Sequence, residues 1–167
     1  MRELEAKVMT RDAMRAERER LRRAGKVVAF TNGCFDILHV GHINLLTFAR
    51  SQGDVLIVGM NSDASVRQFK GPKRPIVPQE DRVRLLAAME AVDYVVVYDE
   101  PRVDTLLAEV LPDVLVKGAD WSHDIHGREI VEARGGRVVL APVMQGRSTT
   151  NIIGAILNTY KPDDTPA

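Results

Sequence analysis

The segment Thr31-Asn32-Gly33-Cys34-Phe35-Asp36-Ile37-Leu38-His39-Val40-Gly41-His42 places two imidazoles and two glycines between a β-branched run and the start of a helical pattern. A strand, a glycine-bearing turn and a helix start together make an anion site, because the first helical amides lack partners and the helix dipole presents its positive end there. Gly33 lets the backbone approach an anion closely, and Gly41 leaves room where a Cβ would collide. His39 and His42, three residues apart, can turn both rings to one side and offer N–H donors to a polyphosphate. The blander alternative is a pair of ordinary polar histidines at a helix start. A catalytic zinc would want a third protein ligand, and Cys34 and Asp36 complete no zinc pattern with the histidines. A dinucleotide site is disfavoured, since the turn does not read G-x-G-x-x-G and no acidic residue ends the second strand.

Other segments that follow strand ends carry compatible groups. Ser148-Thr149-Thr150 precedes the last helical pattern, so Ser148 or Thr149 can cap that helix while its amides and hydroxyls face an anion; simple capping is the alternative. Lys70, Lys73 and Arg74 sit in a Gly/Pro-bearing loop, where they either reach over phosphates, grip a second substrate's phosphate or stay solvated. Lys117 ends the apolar run Val114-Leu115-Val116 and directs its ammonium to the carboxyl edge of the sheet. Asp36 can order its turn or bind substrate hydroxyls, and both readings stand. Glu80, Asp81 and Arg82 open a helix, where the acids suit the dipole. His123 and His126 have metal-like spacing without a carboxylate or thiol partner set and read as solvated.

The elements that must position these groups are visible as an alternation. Short β-branched runs at 27–30, 55–58, 94–97, 114–116 and 138–140 read as buried parallel strands, and helical patterns occupy 42–51, 79–91, 102–110, 125–134 and 151–160. Such alternation predicts one α/β domain of Rossmann-like type, a five-stranded parallel sheet with helices on both faces, over residues 26–160. Residues 1–25 predict an added amphipathic helix, with Leu4, Val8, Met14 and Leu21 among charges, and 161–167 a frayed tail. In this architecture ligands sit beyond the carboxyl ends of the strands, where strand order reverses.

Composition narrows the class. The 167 residues suit one domain, 45% are hydrophobic and 28% charged, and 23 Lys plus Arg balance 23 Asp plus Glu. That balance gives no basic field for nucleic acid or a membrane surface. Cys34 stands alone, which excludes an internal disulfide, and no apolar run approaches the roughly 20 residues of a membrane span. A cytoplasmic setting is expected.

The pattern Thr-x-Gly-x-Phe-Asp-x-x-His-x-Gly-His resembles the signature of the HxGH (cytidylyltransferase-like) nucleotidyltransferases. The resemblance continues through 58–65, 70–76, 115–120 and 148–153, and is closest to the heptose 1-phosphate adenylyltransferase domain of ADP-heptose synthases. It implies AMP transfer from ATP to a sugar 1-phosphate, with His39, His42, Lys70 and Lys117 catalytic. It further implies that Thr31, Gly33, Phe35, Gly41, Asp120, Ser148, Thr149 and Thr150 hold the nucleotide, Asp120 through the ribose hydroxyls and 148–150 at the triphosphate. Asp36, Asn61, Lys73 and Arg74 are then assigned to the phosphorylated substrate, and Arg82 is placed within reach of the nucleotide. Magnesium is expected to bind through the nucleotide phosphates, with no dedicated protein metal site. A separate sugar kinase and a homodimer are expected partners. The runner-up is a glycerol-3-phosphate cytidylyltransferase, whose Arg-Thr-Glu-Gly-Ile-Ser-Thr-Thr segment reads Val143-Met144-Gln145-Gly146-Arg147 before Ser148 here, so that Val143 replaces an arginine. A non-catalytic nucleotide sensor is the third reading, against which the intact His39, His42, Lys117 and Ser148 argue.

Overall fold

The computed structural model describes residues 3–121, 123 and 125–160, and the tail expected at 161–167 lies outside them. A short strand β1 (Val8–Met9) leads into helix α1 (Arg11–Arg23), followed by β2 (Val28–Gly33), α2 (Val40–Arg50), β3 (Val55–Asn61), α3 (Asp63–Lys70) and α4 (Gln79–Ala88). The chain continues through β4 (Tyr94–Tyr98), α5 (Asp104–Val110), β5 (Val114–Gly118), α6 (Arg128–Glu132), β6 (Arg137–Ala141) and α7 (Thr149–Thr159).

The strands form one parallel sheet in the order β1-β4-β3-β2-β5-β6. It has six strands, not the expected five, because Val8 and Met9 pair with Val95 and Val96 on β4. Two residues carry no alternation, so in the sequence Val8 merges with the helical stripe of Leu4, Met14 and Leu21. Only Met14 and Leu21 of that stripe are buried on the helix. Thr10 caps α1 by accepting from the Ala13 amide at 3.2 Å, and Arg18 fixes it to the body by donating to the Leu111 carbonyl and the Asp113 carboxylate, each at 3.1 Å. The first 25 residues thus share the core of the rest.

Side chains alternate across the strands into two apolar layers. Met14, Leu21, Leu106, Leu107, Val110 and Val131 bring α1, α5 and α6 against one face of the sheet. Leu46, Ala49, Val83, Leu86 and Ala87 bring α2 and α4 against the other. All of β3 is buried, as befits a central strand covered on both faces. Helix α3 lies within 61–78, which reads as loop in the sequence. Its eight residues bury only Ser65 and Val66, too few for a helical stripe, and its clearest signal is the Ser62 cap on the Ser65 amide at 3.1 Å. Among the described residues no helix is long and apolar enough to cross a membrane.

Candidate functional site

The chain runs from β2 outward to β3 and β4, then crosses back to place β5 and β6 on the opposite side of β2, so strand order reverses between β2 and β5. Pairing of these two strands stops at Phe30 beside Leu115, while β2 continues to Gly33 along β3. The carboxyl ends of β2 and β5 therefore part over a cleft of about 640 Å³. His39, Gly41 and His42 line it from the start of α2, Ser148, Thr149 and Thr150 from the start of α7, and Lys117, Gly118 and Asp120 from the end of β5. Five cationic side chains, Lys70, Arg74, Arg102, Lys117 and Arg147, face two carboxylates, Asp36 and Asp120, in a chain whose net charge is zero. The positive balance is local to the cleft.

The two histidines stack with ring centroids 3.9 Å apart, and the Phe35 ring sits 5.2 Å from His42. His39 caps α2 by accepting the Gly41 amide on Nδ1 at 3.1 Å, which leaves the proton on Nε2. A Cβ on Gly41 would come within 2.9 Å of the His39 ring, so the glycine makes room for that ring. Burial lowers the His39 pKa; burial and then its neighbour His39 push His42 down to about 4. Lowered from the ordinary histidine value, both rings are neutral near pH 7, a state in which each carries one N–H donor. Across the cleft, Ser148 caps α7 through the Asn151 amide at 3.1 Å, and Thr149 Oγ1 donates to the Ile37 carbonyl at 3.4 Å. The two helix starts are thereby tied to each other. Lys117 is pushed down to about 8 by burial, against the opposing pull of Asp104.

The opposite wall is organised by Asp36. Its carboxylate accepts from the Ile76 and Val77 amides at 2.8 and 2.9 Å and from Arg74. Burial works to raise the Asp36 pKa, but these donors outweigh it and hold the carboxyl below its usual range. Of the two readings of Asp36, the geometry supports ordering of the turn: the side chain is 1% exposed and both oxygens are engaged. Arg74 lines the cleft while paired to it, and Asn61 lines the cleft while donating to Ser65 Oγ at 3.0 Å. Phe35, with φ of 48°, is the left-handed residue that turns the chain between Gly33 and Asp36.

Several sequence expectations fall elsewhere. Thr31, expected at the nucleotide, is fully buried inside β2 and does not line the cleft, since its side chain falls on the inner step of the strand's alternation. Lys73 is exposed and off the cleft wall, because the turn after Gly71 carries it outward. Arg82 does not reach the cleft at all. Its guanidinium is fully buried and donates to the Val77, Cys34 and Asn61 carbonyls and to Asp63. His123 is exposed, whereas His126 lines the cleft.

A cytidylyltransferase-like family model matches residues 30–155, the span that contains every group of the cleft described above. The chain belongs to the cytidylyltransferase-like family. It is 49% identical over 160 residues to the bifunctional protein HldE of Syntrophotalea carbinolica, covering 95% of this chain and 33% of that protein. It is 52% identical over 157 residues to the HldE of Geobacter sulfurreducens, covering 93% and 32%. The chain thus spans about a third of the length of these relatives. Among solved structures, the lipopolysaccharide core biosynthesis protein of Thermoplasma volcanium superposes with a TM-score of 0.60 at 25% identity, covering 74% of this chain and all of that one. The pantoate-beta-alanine ligase of Francisella tularensis, complexed with beta-gamma ATP and beta-alanine, shares the fold at a TM-score of 0.64 and 18% identity, over 96% and 81% of the two chains.

Two cleft residues of this family member escape sequence reasoning. Asn32 fills a position that the signature leaves open, yet its carboxamide stands beside Lys117. Tyr98 closes β4 one residue beyond the run 94–97 that reads as strand; its proximity to Asn32 is a matter of strand order, which no local pattern displays.

Proposed function

We propose that this protein transfers AMP from ATP to a sugar 1-phosphate, D-glycero-β-D-manno-heptose 1-phosphate, giving ADP-heptose and pyrophosphate. The observation that carries the reading is the convergence of two capped helix starts, two neutral histidines and the Lys117 ammonium on one cleft at the strand-order reversal. The nucleotide and the sugar rest on the near-full-length resemblance to the adenylyltransferase domain of ADP-heptose synthases and on the similarity to HldE proteins.

The second ionisation of a phosphate monoester falls near pH 6, so the nucleophile is ionised at neutral pH and needs no base. A substrate phosphate oxygen forms its bond to the α-phosphorus as the bond from that phosphorus to the bridging oxygen of the β-phosphate breaks. The electron pair leaves with pyrophosphate. His39 and His42 donate N–H bonds to the phosphates as negative charge shifts toward the leaving group, and Lys117 and Lys70 supply compensating charge. Ser148, Thr149 and Thr150 receive the triphosphate at the start of α7, Phe35, Gly33 and Gly41 bound its path, and Asp120 accepts from the ribose. Arg74 and Asn61 lie where the sugar phosphate enters.

Among the described residues no three His, Cys, Asp or Glu gather into a cation cage, and Asp36 is already engaged. The side chains present fit a magnesium ion carried by nucleotide oxygens and water, which would neutralise phosphate charge when bound. A cytoplasmic setting suits an ATP consumer, and a sugar kinase activity must form the sugar 1-phosphate. We also propose a homodimer, supported by the apolar outer side of α7, where Ile156, Leu157 and Tyr160 are 50%, 62% and 80% exposed. The test of function is pyrophosphate release with ATP or CTP against heptose 1-phosphate or glycerol 3-phosphate. The expected pair is ATP with heptose 1-phosphate, ahead of CTP by about tenfold or more, the discrimination that one unmatched buried polar group gives. A preference for CTP with glycerol 3-phosphate would overturn the assignment.

A further inference from the structure

Lys117 is half-buried at the end of β5, its ammonium partly desolvated, and no carboxylate lies within ion-pair distance of it among the described residues. A buried charge is costly unless something compensates it. Its hydrogen-bond acceptor among the described residues is neutral: Lys117 Nζ donates to Asn32 Oδ1. Because an ammonium only donates, the oxygen of the Asn32 carboxamide must face it, and the Asn32 Nδ2 then points to Tyr98 Oη, to which it donates at 2.9 Å. Tyr98 is 3% exposed and also shares a hydrogen bond with the Asn61 side chain. Asn61 Nδ2 donates to Ser65 Oγ at 3.0 Å, and that hydroxyl donates to the Glu100 carbonyl at 3.1 Å. A row of neutral groups thus crosses the carboxyl ends of β5, β2, β4 and β3 beneath the cleft.

A carboxylate at position 32 would pair with the ammonium and cancel its field, whereas a carboxamide orients the ammonium and leaves its charge for an incoming phosphoryl oxygen. Asp104 at the start of α5, paired with Arg102 at 2.7 Å, pulls on the Lys117 charge, and the walls of the cleft also carry Asp36, Asp120, Cys34, Tyr98, His39, His42 and His126 and the cations Lys70, Arg74 and Arg147. We propose that Asn32 and Tyr98 are positioning residues: through a tyrosine-held carboxamide they hold the Lys117 ammonium oriented and uncompensated for a nucleotide phosphate. This rests on the reading of the cleft as a nucleotidyltransferase site.

Two readouts separate the two claims. The chain has six lysines, so the side-chain carbon resonances of 13C-labelled lysine can be titrated with pH in the nucleotide-free protein, the Lys117 signal being assigned by its loss in Lys117→Met. Asn32→Asp is expected to raise the Lys117 midpoint by about one unit or more, the effect of an opposite charge in contact. The same variant is expected to raise KM for ATP about tenfold or more, since the new carboxylate opposes the phosphates. Tyr98→Phe, which keeps the ring and frees the carboxamide, is expected to lower kcat and shift the Lys117 midpoint downward with the melting temperature little changed. A Lys117 midpoint that both variants leave where it stands in the wild type overturns the proposal, as does wild-type KM for ATP in Asn32→Asp. The titration needs no turnover: a wild type that releases no pyrophosphate would defeat the adenylyltransferase reading and leave the lysine result to be judged separately.

Discussion

Beneath α4, Arg82 donates to three backbone carbonyls and to Asp63, while Asp36 accepts from two amides and Arg74. Across the cleft, residues of similar polarity are left open among the described residues: His42 Nδ1 is buried without a partner, Lys117 meets only a carboxamide, and Arg147 has no ion-pair partner. Both regions line up polar side chains within one small domain, and they differ in whether the hydrogen-bonding capacity is already engaged. On the engaged side Arg82 and Asp36 are scaffold, since their partners are protein groups that tie separate loops together. On the open side the proposed function supplies the missing partner, a nucleotide phosphate. Residue type does not separate the two; the state of each donor and acceptor does.

The largest effects are expected on the open side. His39→Ala and His42→Ala are each expected to lower kcat by about 100- to 1,000-fold, the usual cost of removing one preorganised donor at developing charge. For His39 the accompanying stability loss should stay near the ~1 kcal/mol of a lost helix cap. Steady-state pyrophosphate release and urea denaturation on the same samples check both halves. Near-normal turnover in either variant would move the histidines to the scaffold.

The engaged side predicts the reverse. Arg82→Met strips the Val77, Cys34 and Asn61 carbonyls and the Asp63 carboxylate of their donor, and a loss of about 3 kcal/mol or more is expected. Activity per folded molecule should survive at temperatures where the variant remains folded. A stable Arg82→Met protein that has lost ATP binding would show that Arg82 belongs with the ligand after all.

A smaller effect is expected from pH. Burial holds His42 near 4, below the ordinary 6.5 of a histidine, so between those values the unfolded chain binds the extra proton. The stability that neutral His42 permits is complete above about 6.5 and is lost progressively as pH falls toward 4. Urea midpoints measured from pH 7 to 4 are expected to fall more steeply in the wild type than in His42→Asn. Parallel curves would mean that the ring is hydrated and not held dry in the cleft.

The sequence makes the scaffold legible wherever a long element leaves a period. β3 and α2 are plain, whereas β1 with two residues and α3 with two buried side chains leave none. For the site, the glycine-bearing turn and its histidines are legible because local chemistry and the signature agree. Arg82 is not, since an arginine in the first turn of a helix ordinarily stays in solvent and its burial depends on carbonyls far away in the chain. Thr31 and Lys73 sit beside true cleft residues and point away from them, a matter of one step in strand alternation or one turn of loop. The Asn32–Tyr98 contact, 66 residues apart in sequence, depends on the order of the strands.

The claim that the open donors await a triphosphate is tested most directly by a crystal structure with a non-hydrolysable ATP analogue. The expected result places the phosphates between the starts of α2 and α7, within hydrogen-bond distance of His39 Nε2, His42, Lys117 Nζ and the 148–150 segment, with the Arg82 network unchanged. Phosphates bound away from both helix starts, or bound by Arg82 after its network has opened, would contradict the account.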